Sequence, residues 1–172
     1  MRGTLASWNG IGEQAQDEPL RGAFLVAHDA LGGFFALDTG GLSKGTDGVY
    51  YLGPDTLTWD DTGMSYSGLV QFAASGDLGG FYENLRWPGW EEESRQLTGD
   101  QGISVYPFLS SRGGPLKERN RAAIPMLELW RLHLLLPSKT RRPVAGRAVH
   151  DLGRSSSARQ RAQLGLLKIQ RG

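Results

Sequence analysis

The sequence predicts an α+β domain in which an antiparallel sheet comes first and helices then pack on it. Glycine accounts for 25 of the 172 residues, about twice the usual 7% share, which favours a turn-rich β or α+β architecture. Runs rich in Phe, Leu, Val and Tyr alternate with Gly-rich turns up to Gly63, and helical spacing of apolar residues begins after it. Strands followed by helices, rather than alternating with them, indicate α+β. The length fits one such domain.

A β-hairpin is the first predicted element, over residues 22–41. Two apolar runs, residues 24–30 and 34–38, flank Gly32 and Gly33. Glycine adopts the positive φ of a tight turn without steric cost. We therefore expect the two runs to pair antiparallel.

Two further strands complete a meander. Residues 49–52 have the Val and Tyr content typical of a strand, and Gly53-Pro54-Asp55 is a turn signal. Residues 56–59 carry β-branched and aromatic side chains between two turn signals, which predicts a short fourth strand.

Helices are predicted next, and the first has recognisable ends. Ser65 is a good N-cap and Gly76 a good stop signal. Between them the apolar residues recur at helical spacing, at Tyr66, Leu69, Val70 and Ala73, so one helix face should be buried. Shorter helices are predicted over residues 78–85 and 88–97, a later strand over residues 102–109, and a closing helix over residues 125–136.

The charged residues are distributed unevenly along the chain, although its formal net charge is only +1. Residues 1–136 hold 10 Lys and Arg against 17 Asp and Glu, whereas residues 137–172 hold 9 against 1 and no aromatic residue. The second segment cannot bury enough apolar surface to offset the entropy lost on ordering. We therefore predict a single domain over residues 1–136 and a basic, disordered tail over residues 137–172.

Composition also limits the function classes. The absence of cysteine excludes disulfides, thiolate metal sites and cysteine nucleophiles. Neither a secretory signal nor an apolar run long enough to span a bilayer is visible, so we expect a cytoplasmic protein with no membrane partner.

Several runs resemble a bacterial family, domain of unknown function 2625. They are AFLVAHDALGGFFALDTG, GVYYLGPDTLTWDDTGMSYSGLVQFAASGDL, FYENLRWPGW, GDQGISVYPFL and IPMLELW, within about residues 7–132. More distantly, the order of strand, Gly-Gly turn, strand, aromatic strand and helix over residues 23–74 is similar to the SUKH superfamily of cell-wall-assembly-regulator-like domains.

The resemblance carries two expectations. SUKH domains bind and neutralise toxins in bacterial competition, which implies a non-enzymatic protein-binding module. Members of the closer family have a further N-terminal section before residues 7–9, so the chain is expected to be N-terminally incomplete. An incomplete sheet should leave an edge or face uncovered and favour self-association.

No catalytic, cofactor-binding or metal-binding residue is predicted. Lys44 precedes Gly45 in the glycine-rich stretch 40–46, which is the wrong order for a phosphate loop. Ser65 lacks the glycine that a nucleophile elbow requires two positions later. The three histidines have no metal-ligand spacing, and His28 and Asp29 should point to opposite faces of a strand.

One catalytic alternative stays open. Carboxylates such as Asp60, beside the aromatic Trp59, could serve a hydrolase acting on carbohydrate. Turns and caps explain the same carboxylates equally well.

Partner contacts are predicted at Asp60, Asp61, Trp87 and Trp90. The pair of tryptophans around Pro88-Gly89 can pack in the core, which is the commoner use of such bulk, or form an aromatic patch at an interface. An acidic body with aromatic anchors would suit a basic protein partner.

The basic tail has two interpretations. Its cations could contact the phosphates of a nucleic acid with strong salt dependence, although it lacks aromatic residues for stacking on bases. Alternatively its Arg, Ser, Ala and Gly bias reflects translation out of frame after the family-like pattern stops near Leu132. We favour the second interpretation, and nucleic acid is otherwise not expected as a partner.

Overall fold

The computed structural model describes residues 5–11, 20–42 and 48–136. The elements in chain order are α1 (Leu5–Trp8), β1 (Ala23–His28), β2 (Phe34–Asp38), β3 (Val49–Leu52), β4 (Trp59–Met64), α2 (Tyr66–Ser75), α3 (Leu78–Phe81), α4 (Trp90–Arg95), β5 (Gln101–Tyr106), β6 (Asn120–Pro125) and α5 (Met126–Leu135), with 3-10 turns at Glu83–Leu85 and Leu116–Glu118. The predicted disordered tail, residues 137–172, lies outside the described residues.

The first four strands form one antiparallel sheet in the order β1-β2-β3-β4. The predicted hairpin is confirmed, because β1 and β2 pair from Ala23 opposite Asp38 to His28 opposite Phe34. The α+β class is confirmed as well, since helices follow this sheet.

The fourth strand starts later than predicted. Pro54 to Thr56 form a turn, in which the Gly53 carbonyl accepts hydrogen bonds from the amides of Thr56 and Leu57. Leu57 has a φ of 54°, which no β-strand allows. The turn therefore overrides the β propensity of residues 56–58, and the strand runs from Trp59 to Met64 instead.

The helix α2 begins and ends where the sequence predicts. The Ser65 side chain accepts a hydrogen bond from the Gly68 amide, and the Gly76 amide donates to the Phe72 carbonyl. The predicted apolar face is only partly buried, however. Leu69 is buried at 5% exposure, whereas Val70 is 53% exposed and Tyr66 is 51% exposed.

The later chain adds a strand that the sequence did not predict. Instead of one helix over residues 78–85, α3 ends at Phe81 and a 3-10 turn follows. The predicted strand at residues 102–109 is β5, which pairs antiparallel with β6 in a separate two-stranded sheet. The predicted closing helix follows β6 as α5.

Both faces of the four-stranded sheet carry helices. One face packs on α1 and α5 in a core of Trp8, Ala23, Leu25, Phe34, Ala36, Leu52, Met126, Leu127, Leu129 and Trp130. The other face packs on α2 and α3 around Phe35, Val49 and Leu69. A third cluster, Leu31, Trp87, Ile103 and Val105, lies beside β5. The helices do not cover the second face fully, and a groove remains there.

Candidate functional site

The groove lies between the edge strand β1 and the helices α2 and α3. It has a volume of about 210 Å³. Its lining residues are almost all apolar or aromatic: Val26, Ala27, His28, Phe35, Tyr66, Leu69, Val70, Phe72, Ala73, Leu78 and Tyr82. Concave, largely apolar surfaces with a few polar groups are the usual form of a binding site.

A β-bulge in β1 helps to form one wall. The pairing of β1 with β2 shifts between Leu25 and Ala27, and a bulge turns two successive side chains towards similar directions. Leu25 belongs to the core beneath α1 and α5. Val26 and Ala27 both pack at the opposite face and line the groove.

The apolar side chains on the helical wall of the groove are unusually exposed. Tyr66, Val70 and Leu78 line the groove and are 51%, 53% and 36% exposed. The helical spacing was recognised from the sequence, but burial of this stripe was expected. Because α2 is held on the sheet through Leu69 and Phe72, the remaining apolar residues are left facing the groove.

A hydrogen-bonded carboxylate, Asp29, adjoins the groove through the lining residue Tyr82. Asp29 Oδ1 accepts from the amides of Leu31 and Gly33, both at 2.8 Å. Its Oδ2 accepts from the hydroxyls of Tyr51 at 2.7 Å and Tyr82 at 3.1 Å. The cluster ties the β1–β2 turn to β3 and to the residue that follows α3.

Both tyrosines in this cluster are held in the neutral form. Burial raises the pKa of Tyr51 and of Tyr82 far above the ordinary value, and the negative charge of Asp29 raises both further. They therefore act as hydrogen-bond donors. Asp29 accepts all four hydrogen bonds of the cluster, so the cluster is suited to positioning the groove wall.

The rings of His28 and His133 pack against aromatic residues of the core. The His28 ring lies 5.6 Å from that of Trp8 and 6.4 Å from that of Phe34, between centroids. His133 packs edge-on against Phe34 at 6.1 Å. Burial lowers the pKa of His133 to about 4, although the charge of Asp29 opposes the shift.

The four residues predicted to contact a partner fall into two pairs. Asp60 and Asp61 are exposed on the outer strand β4, where the Asp61 side chain accepts from the Gly63 amide at 2.8 Å. Trp87 and Trp90 belong to the cluster beside β5. None of the four lines the groove.

The two tryptophans differ in exposure and in partners. Trp87 is 5% exposed, and its Nε1 donates to Glu93 at 2.9 Å while the Arg121 guanidinium lies 4.9 Å above its ring. Trp90 is half-buried and has the Arg86 guanidinium 4.4 Å above its ring. Trp87 thus packs in the core, and partner contact by these residues stays a prediction.

Within the part of the chain that the structure describes, no group of three or more His, Asp or Glu side chains could hold a metal ion. Among the same residues, no helix has both the length and the apolar character that crossing a membrane requires.

The chain is similar to two curated bacterial proteins. The uncharacterized protein YbfG of Escherichia coli (strain K12) is 41% identical over 110 residues, which cover 64% of this chain and 50% of the relative. An uncharacterized protein of Haemophilus influenzae (strain ATCC 51907 / DSM 11121 / KW20 / Rd) is 31% identical over 106 residues, 62% of this chain and 46% of the relative. The chain spans about half the length of these relatives.

No solved structure matches the chain. A family model described as "Protein of unknown function DUF2625" matches residues 1–129, three quarters of the chain, and the chain therefore belongs to that family.

Proposed function

We propose that this protein is a non-enzymatic protein-binding module whose groove between β1 and α2 receives apolar side chains of a partner. The observation that carries the proposal is the exposure of Tyr66, Val70 and Leu78 along one concave apolar surface. Exposed apolar residues that are grouped, rather than scattered singly, mark sites of interaction.

The size of the groove favours side chains over a free small molecule. Its volume of about 210 Å³ is below the ~300–1,000 Å³ of pockets that enclose a drug-sized ligand. One or two apolar side chains of a protein segment would fill it. Aromatic residues such as Tyr66 and Tyr82 supply contact area at low entropic cost.

The hydrogen bonds and the directions of the carboxylates favour a binding role over a catalytic one. Asp29, the carboxylate at the groove, already accepts four hydrogen bonds. Asp60 and Asp61 are adjacent in β4, so their side chains point to opposite faces. The alternative of a carbohydrate hydrolase would need two carboxylates facing one cleft.

The distant SUKH resemblance supports a narrower version of the proposal. By that resemblance the partner would be a toxin of bacterial competition, and the protein would neutralise it in the cytoplasm. Asp60, Asp61 and Trp90 would then extend the contact surface beyond the groove.

The test compares two neighbouring substitutions on α2. Val70→Glu puts a charge into the groove, whereas Gln71→Glu puts the same charge on an exposed position that does not line it. Each variant is immobilised, and the bacterial proteins that it retains from a lysate are compared with those retained by the wild type. We expect a protein retained by the wild type and by Gln71→Glu but lost with Val70→Glu. Equal retention by all three, or none by the wild type, would contradict the proposal.

A further inference from the structure

We infer that the segment received by the groove is cationic, with apolar side chains flanked by Lys or Arg. This inference rests on the proposed function and adds the charge of the partner. It follows from the distribution of charged residues around the groove.

The elements that line the groove carry acidic residues and no Lys or Arg. Residues 23–38 contain Asp29 and Asp38, and residues 64–82 contain Asp77. The bias extends along the chain, since residues 48–85 hold five Asp and Glu with no Lys or Arg. Asp38 is buried and accepts from three backbone amides, so the negative charge that a partner segment would meet comes from the exposed acidic residues of this region.

Two of the acidic side chains are exposed at the α3 end of the groove. Asp77 precedes the lining residue Leu78, and Glu83 follows the lining residue Tyr82. Asp77 uses one oxygen to accept a hydrogen bond from the Gly80 amide at 2.9 Å. Such a cap satisfies the helix end and keeps the negative charge at the surface.

The nearest arginine in sequence is held by other groups. Arg86 donates from Nη2 to the Leu78 carbonyl at 3.0 Å, and its guanidinium lies over the Trp90 ring. It therefore anchors α3 against α4. Its positive charge offsets part of the negative charge of the acidic residues nearby. Asp77 and Glu83 are exposed and flank lining residues, so they are the two side chains whose charge is removed in the test.

The inference is tested with synthetic peptides and the full chain. Three amphipathic peptides share one leucine spacing and differ at the intervening positions, which are lysine, serine or glutamate. Binding is measured by fluorescence anisotropy at low and high salt. We expect the affinity order lysine, serine, glutamate, with the lysine peptide weakened by salt because exposed charges are screened beyond ~8 Å at physiological ionic strength.

Charge-neutralising variants locate the effect. Asp77→Asn keeps a good N-cap and Glu83→Gln keeps the side-chain size, so the double variant should bind the lysine peptide about fivefold more weakly, as expected for two exposed ion pairs. The double variant Glu91→Gln/Glu92→Gln removes the same charge from α4, outside the groove. We expect that control to bind as the wild type does.

The failures of the inference and of the proposed function are distinguishable. Equal binding of the lysine and serine peptides would overturn the inference and leave a groove that binds apolar segments of any charge. Equal weakening by the α4 control would also overturn it, because the attraction would then be general. If no peptide binds, the inference is wrong, and the comparison of Val70→Glu with Gln71→Glu still decides the proposed function.

Discussion

Asn9 binds the backbone of Leu25 as a neighbouring strand would. Its Nδ2 donates to the Leu25 carbonyl and its Oδ1 accepts from the Leu25 amide, each at 2.7 Å. Leu25 lies in β1, an outer strand of the four-stranded sheet. A single side chain thus satisfies the N–H and C=O groups of Leu25 at a sheet edge, where unpaired backbone groups favour pairing with another chain.

Replacing this side chain should weaken the fold measurably. Asn9→Ala removes both bonds to Leu25 and a third to the Leu5 carbonyl, so we expect the free energy of unfolding in urea to fall by about 1–2 kcal/mol. Asn84→Ala is the control, because Asn84 is exposed in the 3-10 turn after α3. Equal stability of the two variants would show that the Asn9 bonds contribute nothing.

Gly33 should tolerate no side chain. A Cβ at this position would overlap Asp29 Oδ2 and the Tyr51 hydroxyl, and separating them breaks the cluster that adjoins the groove. We expect Gly33→Ala to lower the free energy of unfolding by about 3 kcal/mol, because it combines overpacking with the loss of a buried hydrogen-bond network. A Cβ at Gly99 meets nothing within 4 Å, so Gly99→Ala should leave the midpoint of thermal unfolding nearly unchanged. Similar midpoints for both variants would contradict the tight packing at Gly33.

The tyrosine pair should make the protein sensitive to alkali. The unfolded chain releases tyrosine protons near pH 10, whereas folding raises the pKa of Tyr51 and Tyr82 and retains them. Their contribution to stability is therefore fully present below about pH 10 and is lost as the pH rises above it. The double variant Tyr51→Phe/Tyr82→Phe should be less stable at neutral pH but lose stability less steeply in urea titrations from about pH 8 to 11. Parallel pH profiles would rule out this linkage.

His133 should make the stability of the protein sensitive to acid. The unfolded chain binds a proton on this histidine near pH 6.5, whereas burial lowers the folded pKa to about 4. Stability should therefore fall as the pH drops from about 6.5 towards 4, because the unfolded state binds more protons. His133→Gln removes this titration, so the difference in unfolding free energy between wild type and variant should shrink with acidification. A difference independent of pH would contradict the burial of a neutral His133.

Local chemistry explains which parts of the fold were predictable. The hairpin and the ends of α2 depend on nearby residues, such as Ser65 bonding to the Gly68 amide. The start of β4 was mispredicted because turn hydrogen bonds to Gly53 compete with β propensity. The strand β6, with the sequence NRAAIP, has weak β propensity and forms through pairing with β5, the preceding strand.

The candidate site was less predictable than the fold. The sequence places Asp29 near the end of the first predicted strand, but its bonds to Tyr51 and Tyr82 join residues 22 and 53 positions away. The spacing of Val70 and Tyr66 predicts an apolar helix face without determining how much of it the sheet covers. The groove depends on that coverage, so only the packed structure reveals it.

Filling the groove is the most direct test of its role in binding. Ala73 lines the groove, whereas Ala74 is exposed on the same helix and does not line it. The dissociation constant of the leucine-lysine peptide is measured by titration calorimetry for the wild type, Ala73→Trp and Ala74→Trp. We expect Ala73→Trp to weaken binding about tenfold or more, equivalent to at least 1.4 kcal/mol, and Ala74→Trp to leave it unchanged. Equal affinities for the two variants would contradict binding in the groove.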